Sequence, residues 1–146
     1  MLASSSGPYD ALVALHVVCA LAGFGAVAIS GVYGGLARKP SNQAETARYF
    51  ASGGRAEWLI FPVPFFGLAA LLVDHRSDDL TDVWVLGGSV LWIAAAALLL
   101  VVVRPAEKRL RSGEEIAVAG RALMLAGIAS DVLFVAALAL MVTQPG

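Results

Sequence analysis

Four apolar stretches, each long enough to cross a lipid bilayer, constrain this chain more than any other feature. They cover about residues 10–36, 58–73, 83–103 and 117–141. At a rise of ~1.5 Å per residue each crosses a ~30 Å hydrocarbon layer, the second only just. Lipid offers no hydrogen-bond partner to an open backbone, so the spans must be helices. Composition agrees: 59% of residues are hydrophobic and 14% charged, against roughly half and a quarter in a soluble domain. That excludes an ordinary soluble enzyme domain and a disordered chain alike. The expected fold is an all-α membrane protein, a single domain over residues 1–146, built as an antiparallel four-transmembrane-helix bundle.

The first span is expected to be retained rather than cleaved, because no Lys or Arg precedes Tyr9 and the apolar run exceeds a signal-peptide core. Nine of the ten basic residues fall on one side. Arg38, Lys39, Arg48 and Arg55 lie between spans one and two. Arg104, Lys108, Arg109 and Arg111 lie between spans three and four, Arg121 just inside span four, and Arg76 alone opposite. The positive-inside rule makes the first side cytoplasmic, which gives an N-out/C-out protein. Tyr9, Trp84, Tyr33 and Trp58 mark the interfaces, and Trp92, mid-span, reads as packing. Residues 41–52, between Pro40 and Gly53-Gly54, suit a short surface helix. Pro105 should disturb the end of span three.

Net charge −1 provides no basic surface for nucleic acid, and the single Cys19 excludes an internal disulfide or a thiolate zinc cage. Nucleotide-binding, zinc-protease and hydrolase motifs are absent. No catalytic residue is expected.

Span one carries a face of small residues, Gly23, Ser30, Gly31, Gly34 and Gly35, where another backbone can approach closely. The expected use is helix packing at the bundle centre, with a dimer interface as the alternative. His16 shares that sector. Its imidazole either makes a structural hydrogen bond or ligates haem iron or copper, with Cys19 one turn deeper near the same ligand. Asp131 lies near the middle of span four, and the expectation is a buried hydrogen bond, His16 included as a partner, or a proton or ion role. Pro62 and Pro64 interrupt span two and should free carbonyls near Trp58 and Ile60, as a bend or a hinge. Arg55 and Glu57 precede them and can pair with each other or with another loop. The 74–82 loop, with His75 and four carboxylates, reads as a solvated turn in which Asp82 caps span three.

The chain contains the strings Leu15-His16, Arg55-Ala56-Glu57-Trp58, Asp82-Val83-Trp84-Val85, Arg104-Pro105-Ala106-Glu107-Lys108-Arg109-Leu110 and the ending Leu140-Met141-Val142-Thr143-Gln144-Pro145-Gly146. The chain resembles, over nearly its whole length, an uncharacterised bacterial family of predicted four-helix integral membrane proteins, a domain of unknown function. The Leu15-His16 pair in the first helix is also similar to copper-resistance protein D and to the small haem-associated protoporphyrinogen oxidase of bacteria. These likenesses imply a multi-pass protein of the bacterial cytoplasmic (inner) membrane. The leading expectation is a scaffold or accessory subunit packing beside a larger membrane complex, or self-associating, with no cofactor. The alternatives are a redox protein holding haem b or copper at His16, and a small transporter or proton pathway using Asp131.

Overall fold

The computed structural model describes residues 6–52, 56–74 and 80–144. Every regular element among them is helical: α1 (Ser6–Ala37), α2 (Gln43–Ser52), α3 (Val63–Val73), α4 (Val83–Leu98), α5 (Arg104–Ser112) and α6 (Ile116–Thr143). Short 3-10 segments, Pro40–Asn42 and Ala56–Ile60, lead into α2 and α3. Four continuous helical stretches are long and apolar enough to span a membrane: Gly7–Ala37, Ala56–Val73, Val83–Ser112 and Ile116–Thr143.

The long α1–α6 contact organises the bundle, and it depends on residues without side chains. Gly31 sits with its Cα 3.0 Å from where a Cβ on Gly127 would be, and a Cβ on Gly34 would strike Leu123 and the Gly120 carbonyl. The two backbones therefore approach to a distance that side chains forbid, and dispersion across the seam replaces a hydrophobic driving force that lipid does not supply. Gly23 faces the 3-10 segment at Ile60 in the same way, and Gly35 lies against Met124. α1 also packs on α3, and α4 on α6, whereas α3 and α4 barely touch.

The third spanning stretch shows the form that the disturbance at Pro105 takes. The helix does not end there. Leu99–Val103 widens into one π-helical turn, in which the Arg104 N–H reaches back five residues to the Leu99 carbonyl. The wide turn leaves room for a proline ring and a missing N–H at the second position of α5, so the helix runs on to Ser112. It then stops at Gly113 in the left-handed conformation (φ 74°), where Gly113 and Glu114 N–H groups satisfy the last carbonyls, Glu114 donating to Arg109 at 2.9 Å. Glu115, also left-handed (φ 46°), pairs with Arg109 at 3.0 Å and starts α6.

Span two is divided at its prolines. The Ile60 carbonyl, whose helical donor would be the nitrogen of Pro64, accepts instead from Trp92 Nε1 at 2.7 Å. Trp92 is thus a cross-helix tie as well as a packing residue. The Trp58 carbonyl accepts from the Phe61 N–H in a 3-10 turn. At the start of α4, Asp82 occupies the N-cap position, but its backbone carbonyl receives the Val85 and Leu86 N–H groups and its side chain makes no capping bond.

Candidate functional site

His16 is half-buried on α1 and faces α3. Its Nδ1 lies 2.7 Å from the Val63 carbonyl oxygen. A carbonyl only accepts, so Nδ1 carries the proton, and in the neutral ring Nε2 is then the lone-pair nitrogen. The imidazole lies against Gly67, where an added Cβ would come 3.0 Å from its Cε1 and Nδ1. The structural hydrogen bond expected of His16 is present, made to a backbone carbonyl of the proline-broken span rather than to Asp131 or a carbonyl of the last helix.

The gap between α3 and α4 is a cavity of about 250 Å³, walled by apolar side chains with His16, Tyr9, Ser89, Trp84 and Trp92 on its lining. A smaller space of about 120 Å³ continues past His16 and Trp92 towards Phe24 and Phe134. Cys19 is buried but is not among the described residues lining either space. Among the described residues no three His, Cys, Asp or Glu side chains converge on one point. His75 and Arg55 lie outside the described residues.

Asp131 stands apart from all of this. It lies on the exposed face of α6, with Ile128, Val132 and Val135, and makes no hydrogen bond or ion pair among the described residues. The expectation of a buried carboxylate bonded to His16 or to another helix of the same chain is therefore overturned. The spacing 128–131–135 shares one helical face, and all three residues are exposed.

The most unusual group of polar side chains joins Glu57, expected to pair with Arg55 or with another loop, to Glu107, which the motifs do not single out. Glu57, in the 3-10 segment before α3, is 3% exposed, and Glu107, in α5, is 2% exposed. The two carboxyls lie close enough for the charge of one to bear on the other. Ser30 Oγ, from the centre of α1, donates to Glu107 Oε1 at 3.0 Å. Arg104 and Arg111 approach Glu107 Oε2 at 3.4 and 3.7 Å. Glu57 Oε2 is buried with no partner.

Around this core, Tyr49 of α2 stacks on Tyr33 with ring centres 3.9 Å apart. Burial pushes the Tyr49 phenol above its ordinary value, with the two glutamates adding and Ser30 opposing. The Arg104 guanidinium lies over the Trp58 ring at 5.2 Å. Ser30 therefore does more than let helices approach. A signal for Glu107 existed: Val103, Ala106, Glu107 and Leu110 share one helical face, so the carboxyl lies on an apolar stripe within a basic segment.

No family model, curated protein or solved structure matches the chain.

Proposed function

We propose that the chain is a scaffold or accessory subunit of the bacterial inner membrane, related to the uncharacterised four-helix family it resembles. In this reading it is an antiparallel four-helix bundle with both termini outside, docked through α6 against a helix of another membrane protein. The observation that carries this is Asp131. Near the middle of a 28-residue apolar helix, its carboxyl points away from its own bundle. An ionised carboxylate facing lipid at that depth costs about 2.5–3.5 kcal/mol. A covering helix with a hydrogen-bond donor or a cation removes most of that cost. A second copy fits less well, since a two-fold contact centred on this face sets Asp131 against its own image.

The expected result is that Asp131→Leu releases the protein from its complex in mild detergent, while Asp131→Asn, which keeps hydrogen-bonding capacity, retains it. The loss corresponds to about 0.6–2 kcal/mol, the range for interhelical hydrogen bonds in membranes. Equal co-purification of wild type and Asp131→Leu with the same partners would sink the docking role. The orientation is tested separately. In a Cys19→Ala background, a cysteine at Lys108, exposed at the basic end of the bundle, should react with an impermeant reagent only after the cells are opened.

A second reading rests on the His16 geometry. Nδ1 is fixed by the Val63 carbonyl, which is how metal-ligating histidines are oriented, and this leaves Nε2 to bind haem iron or copper at the cavity. The accessory-subunit reading expects the protein purified alone to show no stoichiometric haem absorption. A Soret band abolished by His16→Ala would establish the redox reading instead.

A further inference from the structure

We propose that the cavity between α3 and α4 binds a single-ring aromatic alcohol, a phenol or hydroquinone ring taken up from the bilayer, whose hydroxyl donates to His16 Nε2. The proposal is independent of docking at Asp131. It gives the His16 nitrogen an organic ligand in place of the metal of the redox reading.

The open nitrogen selects the hydrogen-bonding group. Nδ1 is committed to the Val63 carbonyl at 2.7 Å, and Nε2 has no partner among the described residues. A ring nitrogen with a lone pair and no proton only accepts, so the complementary group is a donor. A lipid acyl chain has none, and packing one into the cavity would leave Nε2 unsatisfied against apolar surface. A hydroxyl supplies the donor without bringing in a charge.

Volume and walls select the ring. An apolar cavity of ~150 Å³ already holds benzene, so the space of about 250 Å³ takes one ring with small substituents. Trp84, Trp92 and Tyr9 are on the lining, where aromatic side chains favour offset or edge contacts with a further ring. The Trp92 N–H is already spent on the Ile60 carbonyl and makes no claim on the ligand oxygen. Two glycines keep the space open: Gly67, which seats the imidazole, and Gly88, where an added Cβ meets nothing within 4 Å.

Access is sideways. Leu68 on α3 and Ser89 on α4 both line the cavity and are exposed. The opening therefore lies between two apolar spanning stretches that barely touch, and a ligand dissolved among lipid tails enters without crossing water.

The test is nuclear magnetic resonance of the purified, chelator-treated full-length protein, isotope-labelled at its histidine nitrogens. A His75→Asn background leaves one imidazole to observe. The probes are para-cresol and para-xylene, which match in size and differ in the hydroxyl, at about pH 8, above the ordinary histidine value. para-Cresol should move the Nε2 resonance to a saturating limit and leave Nδ1 in place. Its ring protons should show Overhauser contacts to the Trp84 and Trp92 indoles. At equal concentration in the detergent phase, para-xylene should bind roughly five- to tenfold more weakly, the effect of one hydrogen bond, and leave Nε2 unmoved. His16→Phe should abolish the preference for para-cresol. Equal binding of the two probes, an Nε2 shift that never saturates, or Overhauser contacts that miss both indoles overturns the proposal. A metal that survives the chelator and blocks Nε2 overturns it in favour of the redox reading. Should His16→Phe fail to fold, the probe comparison on the His75→Asn protein decides.

Discussion

Gly120→Val should separate α1 from α6 and leave little protein that survives purification as a single species. A side chain at this position meets the Gly34 carbonyl and Arg38 Cγ, and the Gly34 carbonyl is backbone in the last turn of α1. A flexible neighbour can turn aside; a helical carbonyl moves only if the helix moves. Overpacking a close contact costs about 1–3 kcal/mol when side chains can adjust, and the backbone clash puts this variant at or beyond the upper limit. Gly88→Ala is the matched control. Nothing lies within 4 Å of its added methyl, and the change should be neutral or slightly stabilising. Unfolding in a graded detergent mixture, followed by loss of helical circular dichroism, compares the two. Equal midpoints would show that the glycine seam is not what sets the α1–α6 distance.

Glu107→Leu should destabilise by about 3–5 kcal/mol, the range for removing one partner from a buried charged cluster. The substitution strands four groups at once. Ser30 loses its acceptor, Glu57 loses its neighbour, and Arg104 and Arg111 lose the carboxylate they approach. The two arginines can turn outward to water, so much of the penalty falls on Glu57 and Ser30. The double variant Glu57→Leu/Glu107→Leu should therefore recover a large part of the loss, since it leaves no carboxyl buried. The same unfolding measurement gives the four corners of the cycle. Additive losses would show that the two glutamates are independent.

Much of the architecture could be read in the amino-acid order, because the bilayer imposes a length and a polarity that few other environments demand. The four spans and the small-residue face of α1 follow from those rules. Two misreadings have distinct physical causes. Asp131 was placed inward on the assumption that polar residues within a span face the bundle. Helical periodicity cannot decide this in α6, where nearly every position is apolar and both faces look alike. The burial of Glu57 and Glu107 is hidden for the opposite reason. They lie beside arginines near the ends of spans, where charged residues are ordinarily solvated. Only the packing of three chain segments shows that they are covered. His16 lay between these cases. Its face was legible, but its partner was a carbonyl of Val63, and backbone atoms leave no mark in a sequence.

The wide turn at Leu99–Val103 has a consequence for register. A π-turn accommodates one more residue than an α-helical turn of the same reach, so everything after it is rotated by about 100° relative to an uninterrupted helix. α4 and α5 are therefore out of phase, and the rotation falls immediately before the segment that carries Glu107. The direction in which that carboxyl points is fixed by a count of residues upstream as well as by its own neighbours. A chain one residue shorter between Leu99 and Val103, with every side chain of the polar cluster still present, would turn Glu107 towards a different part of the molecule. Chains that keep Ser30, Glu57 and Glu107 but differ in length across this turn would carry the same letters without the same site.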